Sequence, residues 1–245
     1  VSDYNLGTAR GVIEIEYNGN GATQATRDMR GVGSAADDAS TRYNKSAKHM
    51  AVAGTIIAGG LALAVNSAAD FEKQLSNVQA VSGASADEMQ QLRDKSLQLG
   101  KDTAFSASES AAAIEELVKA GVSVQDVMGG AADATVALAA AGEVSMPEAA
   151  AIASNAMNQF NLAAKDLPNV ADAIAGAANA SAIDVKDFGY SLSQVGAVAN
   201  LAGASFEDTA TAIALMGNAG IKGSDAGTSL KSMLQRLQPT TEKQA

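Results

Sequence analysis

Few residues in this chain are equipped for chemistry. His49 is the single histidine among 245 residues, and there is no cysteine. That excludes thiolate nucleophiles, disulfide frameworks and cysteine-based zinc or iron–sulfur sites. One imidazole does not build a multi-histidine metal site or a His-based relay. His49 sits between a charged stretch and an apolar one, with no acid beside it, which suits a surface residue. Glu115 and Glu116 form a carboxylate pair, but neighbours on a helix do not face each other, so both read as solvated. Gly217-Asn218-Ala219-Gly220 and Gly223-Ser224 have the glycine density of a phosphate loop. They lack the Gly-Lys-Ser/Thr core and the preceding strand of one, and read as a helix stop. No Asp-x-Asp-x-Asp-Gly calcium loop occurs. The expectation is a protein with no catalytic, cofactor-binding or metal-binding residues and no cofactor: not an enzyme.

The elements that remain are built from small residues. Alanine accounts for 54 positions and glycine for 23, while aromatics are 4% and prolines number three. Strands favour β-branched and aromatic residues, whereas alanine is the best helix former, so the fold class is all-α. At 47% hydrophobic and 18% charged, the chain has enough apolar material for a core. The net charge of −10 is concentrated: residues 103–220 hold thirteen acidic and three basic side chains. An acidic, aromatic-poor surface does not wrap a phosphate backbone, which needs clustered Lys/Arg and stacking rings. No specific nucleic-acid binding is expected.

Three regions follow. Residues 1–21 hold one short strand, Gly11 to Tyr17, broken by Asn18-Gly19-Asn20-Gly21. Residues 22–82 carry apolar and small residues at alternating spacings of three and four. The seam includes Met29, Val32, Tyr43, Met50, Ile57, Leu61, Phe71, Leu75 and Val78. This is a heptad pattern with one stutter, which predicts a helical rod of about 75 Å and a self-associating coiled coil. Within it, residues 50–69 carry no charge and reach the length of a membrane span. Glycines, Thr55, Asn66 and Ser67 dilute their hydropathy. A buried helix in an oligomeric core is the favoured reading. The alternative is a membrane-active or pore-forming protein that inserts through Ile56, Ile57, Leu61, Leu63 and Val65.

Residues 83–245 read as a compact, acidic multi-helix domain. Ser85 with Glu88 forms a capping box. Later helix starts are predicted at Ser106, Ser123, Ser145, Asp166, Asp184, Ser205 and Ser224, about twenty residues apart. Gly121, Gly142, Gly203 and Gly220 stand just before such starts as helix stops. Buried faces are predicted at Ile114/Leu117/Val118, Val127/Ala131/Leu138, Ile152/Met157/Phe160, Phe188/Leu192/Val195 and Ile213/Leu215/Met216. The twenty-residue period is either a repeat or the ordinary length of a helix and its turn.

Some of these segments resemble a known family. Phe71-Glu72-Lys73-Gln74-Leu75-Ser76-Asn77-Val78, at the end of an Ala/Gly-rich helix, is similar to the opening of the core region of phage tail tape measure proteins. So are Asp172-Ala173, Ala177-Ala178-Asn179-Ala180-Ser181, Asp184-Val185 and Phe188-Gly189. The most specific element is the run from Asn218 to Leu230, with Asn218-Ala219-Gly220-Ile221-Lys222-Gly223-Ser224 at its head. The resemblance implies a structural virion protein in the lumen of the tail tube, made in the host cytoplasm. It implies that helical copies bundle, template the length of the tube and leave at genome ejection. Implied partners are further copies of the chain (a trimer among the options), the tail tube protein, tail-tip proteins and tail assembly chaperones. A transient contact with the host membrane belongs to the alternative reading. Fully helical, 245 residues span only about 370 Å, so the chain is expected to be the N-terminal part of a longer one.

Overall fold

A computed structural model of the chain describes residues 66–237. The chain divides into two compact units, Val1–Ala69 and Asp70–Ala245. Of the first, residues 66–69 are helical and exposed. The expected N-terminal strand, the seam positions Met29 to Leu61, His49 and the apolar residues Ile56 to Val65 lie outside the described residues. The fold below is that of the second unit, which begins at Asp70.

All regular structure among the described residues is helical. Helix α1 covers residues 70–82 of this unit. It is followed by α2 (Ala86–Asp102) and α3 (Ala107–Lys119). A single turn at Val124–Asp126 and a π-helical turn at Val127–Ala131 then lead into α4 (Ala132–Gly142). Next come α5 (Met146–Gln159), a 3-10 turn at Ala164–Asp166, α6 (Leu167–Asn179), α7 (Val185–Leu201), α8 (Phe206–Asn218) and α9 (Gly223–Leu237).

The starts are set by side chains that satisfy first-turn amides. Ser85 and Ser106 make full capping boxes with Glu88 and Glu109. Ser123, Ser145, Asp184 and Ser205 each accept from the backbone N–H three residues on. Two predicted caps differ. Asp166 makes no capping bond, because the chain enters α6 through the 3-10 turn instead. Ser224 lies inside α9, whose first residue is Gly223.

The stops share one geometry. In five joints the residue after the helix takes a positive φ: Gly121, Glu143, Asn161, Gly203 and Gly220. The N–H that follows then bonds a carbonyl five residues back, as in Val122 to Leu117 (3.0 Å), Val144 to Ala139 (3.1 Å), Leu162 to Met157 (2.9 Å), Ala204 to Ala199 (3.0 Å) and Ile221 to Met216 (2.9 Å). This is the Schellman closure, which satisfies the last carbonyls of a helix. It corrects one expectation. Gly142 is not the stop of α4, because the left-handed residue is Glu143. Gly142 is small for another reason: a Cβ there would stand 2.5 Å from Cγ2 of Val185.

Alternate helices run parallel. At one end of the α3–α5 pair, Ser110 Oγ lies 3.4 Å from Met146 Sδ; at the other, Asn158 Nδ2 donates to the Ala120 carbonyl at 3.1 Å. Between α5 and α7, Gly189 faces Ile152 and Gly196 faces Gln159, in the same direction along both helices. Between α7 and α9, Gly223 faces Asp187 and Gly227 faces Ser191. Helices α4, α6 and α8 return between them and pack on one another as a second layer. The repeating unit is therefore a helical pair of about forty residues, the range of two-helix repeat arrays. The twenty-residue spacing marks its two halves.

The core follows from this stacking. Ile114, Leu117, Val127, Leu138, Ile152, Phe160, Phe188, Leu192, Val195 and Ile213 are buried in one continuous cluster with many alanines. Phe160 and Phe206 meet edge to face at 5.5 Å between ring centres, a favourable arrangement of their quadrupoles. Val118 and Met216 are half-buried. Leu215, expected inside, is 64% exposed. It is adjacent to Met216, so the two point to different sides of α8.

Candidate functional site

The described residues bring together a packing site, not a chemical one. Its centre is the closure of α8 and α9 onto α7, formed by the run Asn218 to Leu230. Asn218 Oδ1 accepts from the Ala182 N–H at 3.0 Å, which ties the end of α8 to the joint before α7. Gly217 lies against Ile183, where a Cβ would approach Cγ2 to 2.4 Å. Gly220 supplies the left-handed stop. Ser191 Oγ then donates to the Gly223 carbonyl at 2.7 Å, and at Gly227 a Cβ would lie 2.2 Å from the Ser191 carbonyl oxygen. Glycine at 227 thus lets two helix backbones touch. The sequence run that looked most specific is the part that meets α7 and its preceding joint.

The interior polar groups serve the same end. Buried Ser96, Thr135, Ser154 and Thr209 each donate to a carbonyl three or four residues earlier in the chain, at 2.8, 2.9, 3.3 and 2.8 Å. That satisfies their hydroxyls without a partner helix. Ser191 is different, since its bond crosses from α7 to α9. Asn158 and Asn200 repeat one device. Asn200 Nδ2 donates to the Gln159 carbonyl at 2.8 Å, as Asn158 does to Ala120. Each asparagine closes the C-terminal end of the preceding parallel helix. Sequence reasoning missed both, because their signal is a recurrence across pairs, not a local motif. It also missed Asn161, which fills a left-handed stop without a glycine.

Charged groups pair along the outside. Arg93 binds Glu72 at 2.6 Å and lies 5.7 Å from the Phe71 ring centre, joining α2 to α1. Lys95 binds Asp133 at 2.8 Å, joining α2 to α4. Lys186 binds Glu148 at 3.4 Å, joining α7 to α5, and this carboxylate holds the ammonium above its ordinary pKa. Glu115 and Glu116 flank Lys119 at 2.6 and 3.1 Å and raise its pKa likewise. Glu115 is not the solvated residue expected: its side chain is 14% exposed and accepts from Gln74 of α1. Of the expected seam, Phe71, Leu75 and Val78 are buried within this unit, while Ala68 before it is exposed. Phe71 and Leu75 pack with Ala111 and Met89, and Val78 joins the main core.

No group of three or more metal-type side chains exists among the described residues. A groove of about 510 Å³ opens between the α4–α5 and α6–α7 joints and is lined by residues that include Glu143, Glu148, Asp184 and Lys186. Its charges are those of helix ends and one ion pair. Among the described residues no single helix is long and apolar enough to cross a membrane. One bent pair, Val124–Gly142 with Met146–Gln159, passes by composition at an angle of 112°, but its Leu138, Ile152 and Met157 are buried in the core.

An array of helical pairs joined through glycine, serine and asparagine defines a structural packing module. Comparison with known proteins places that module. Residues 93–245 match the family of phage-related minor tail proteins, and the chain belongs to it. It is 36% identical over 173 residues to the "Tape measure protein" of Pneumococcus phage Dp-1. It is 35% identical over 176 residues to the "Probable tape measure protein" of Escherichia phage P2. Each alignment takes in 71% of this chain but only 15% and 22% of the two relatives. No solved structure matches the chain.

Proposed function

We propose that this chain is part of a phage tail tape measure protein: a structural virion component, not an enzyme, that templates tail-tube length and is released at genome ejection. The observation that carries this reading is the similarity to two tape measure proteins along 71% of the chain. Its working partners are then further copies of itself, the tube protein, tail-tip proteins and assembly chaperones. The part of the expected rod that precedes the compact unit, residues 22–69, serves as the extended, self-associating part, through Met29, Val32, Tyr43, Met50, Ile57 and Leu61. A compact array does not measure length while it stays folded, so the helical pairs act as a folded terminal module of the template. The acidic surface of residues 103–220 suits a protein that shares a lumen with passing DNA without binding it.

Quantitative mass spectrometry of purified tails tests this reading before and after triggered DNA ejection. The chain is expected in intact tails and depleted from emptied ones. Its absence from intact tails would remove the proposal.

A further inference from the structure

The helical pairs share a count as well as a shape. The capping residues Ser106, Ser145 and Asp184 of α3, α5 and α7 stand 39 residues apart, and α9 begins at Gly223, a further 39 on. The buried positions keep that step. On the first helix of each pair, Phe71, Ser110, Ala149, Phe188 and Gly227 are buried, as are Val78, Leu117, Ala156 and Val195. On the second helix the buried series are Leu92, Ala131, Val170 and Thr209, then Ser96, Thr135, Ile174 and Ile213. The exposed side keeps the step too, at Asp94, Asp133 and Asp172. Residue type changes along a buried series, from Phe to Gly in the first, while burial does not.

The register survives changes in helix length. Helix α3 has 13 residues and α7 has 17. Helix α8 begins directly at Phe206, whereas α4 and α6 are reached through the turns at Val124–Asp126, Val127–Ala131 and Ala164–Asp166. What α7 gains, the start of α8 gives up, so Ile213 stays in step with Thr135 and Ile174. One residue more or less turns a helix face by about 100°, so pairs stack alike only when each closes to the same count. The main helix–helix contacts join helices of one pair or of adjoining pairs, as in an array whose stability is a sum over units and their interfaces.

We infer that the domain is built of interchangeable 39-residue units, so that a whole unit can be removed or added with the rest of the fold intact. Helices α1 and α2 form the first unit, and Phe71 and Val78 follow the period of the array. Excision of residues 145–183 joins Val144 to Asp184. That reproduces the native joins of an apolar residue to a cap, Val144 to Ser145 and Ile183 to Asp184. Helix α7 then stacks on α3. Gly189 and Gly196, which face Ile152 and Gln159, meet the equivalent Ala113 and Ala120, which are smaller and do not clash. Asn200 takes over the Ala120 carbonyl that Asn158 vacates. Excision of residues 164–183 removes one helix instead of a pair, and sets α7 antiparallel to α5. The inference concerns how the domain changes size and does not rest on the tape measure reading.

Hydrogen exchange of full chains, read by mass spectrometry, tests this. Three variants are compared with the native chain: residues 145–183 removed, residues 164–183 removed, and residues 184–222 present twice in tandem. Amides of α3, α7 and α9 are expected to stay protected in both whole-unit variants. The shortened one exchanges about tenfold faster, because Ala113 and Ala120 leave cavities beside Gly189 and Gly196. The half-unit deletion is expected to lose about a hundredfold or more of the protection in α7 and α9. Loss of protection in α7 and α9 in both whole-unit variants overturns the inference. Equal protection in the half-unit deletion also overturns it, since the pair would then not be the unit.

Discussion

Ser191 of α7 holds the first carbonyl of α9, that of Gly223, at 2.7 Å, one residue type reaching across a helix boundary that glycine keeps narrow. Removing the hydroxyl leaves a carbonyl short of its partner in a buried crossing. Ser191→Ala is expected to cost about 1–3 kcal/mol of unfolding free energy. Gly227→Ala is expected to cost more, because its Cβ would lie 2.2 Å from the Ser191 carbonyl oxygen and the helices must separate. Urea titrations followed by circular dichroism measure both, and equal stability to wild type would refute the crossing.

Glu143 occupies a left-handed conformation, φ 51°, after α4. A non-glycine residue there carries a strain of about 1 kcal/mol, so Glu143→Gly is expected to stabilise the domain by up to that amount. Gly142→Ala next to it is expected to destabilise, since Val185 occupies the space. Thermal melts of the two variants should move in opposite directions; a shift of both in one direction contradicts the joint geometry.

The capping box at α2 gives a pH dependence of known sign. The backbone N–H and hydroxyl of Ser85 hold the Glu88 carboxyl below its ordinary value of 4.5. A depressed folded pKa means that stabilisation is complete above the unfolded value and is lost as pH falls through the folded one. Glu88→Gln is therefore expected to flatten the acid limb of a stability–pH curve below about pH 4.5 and leave the alkaline limb unchanged. An unaltered acid limb would contradict the box.

The acidic surface predicts indifference to DNA. Fluorescence anisotropy with duplex DNA at physiological salt should show no binding at micromolar protein concentration. Micromolar affinity there would contradict the charge argument.

How far the sequence carried depended on the range of the signal. Helix starts at Ser85, Ser106, Ser123, Ser145, Asp184 and Ser205 were legible because a cap is decided within four residues. The pairing of alternate helices was not. It is written in contacts such as Asn200 with Gln159 and Gly227 with Ser191, which join residues about forty positions apart. Gly142 shows the same limit in reverse: a glycine beside a helix end looks like a stop, yet its neighbour Glu143 takes the left-handed turn while Val185 requires the small residue. Phe71, Leu75 and Val78 fit a heptad seam by spacing alone, although their burial is supplied by α2, α3 and the core. Spacing records that a face is apolar, not which element covers it.

The central claim is that the chain contributes length to a tail template. Tail length measured by electron microscopy, in phage whose gene lacks residues 22–65 in frame, tests it most directly. A helical template shortens the tail by about 65 Å, at 1.5 Å per deleted residue. Full-length tails from that deletion would contradict the account.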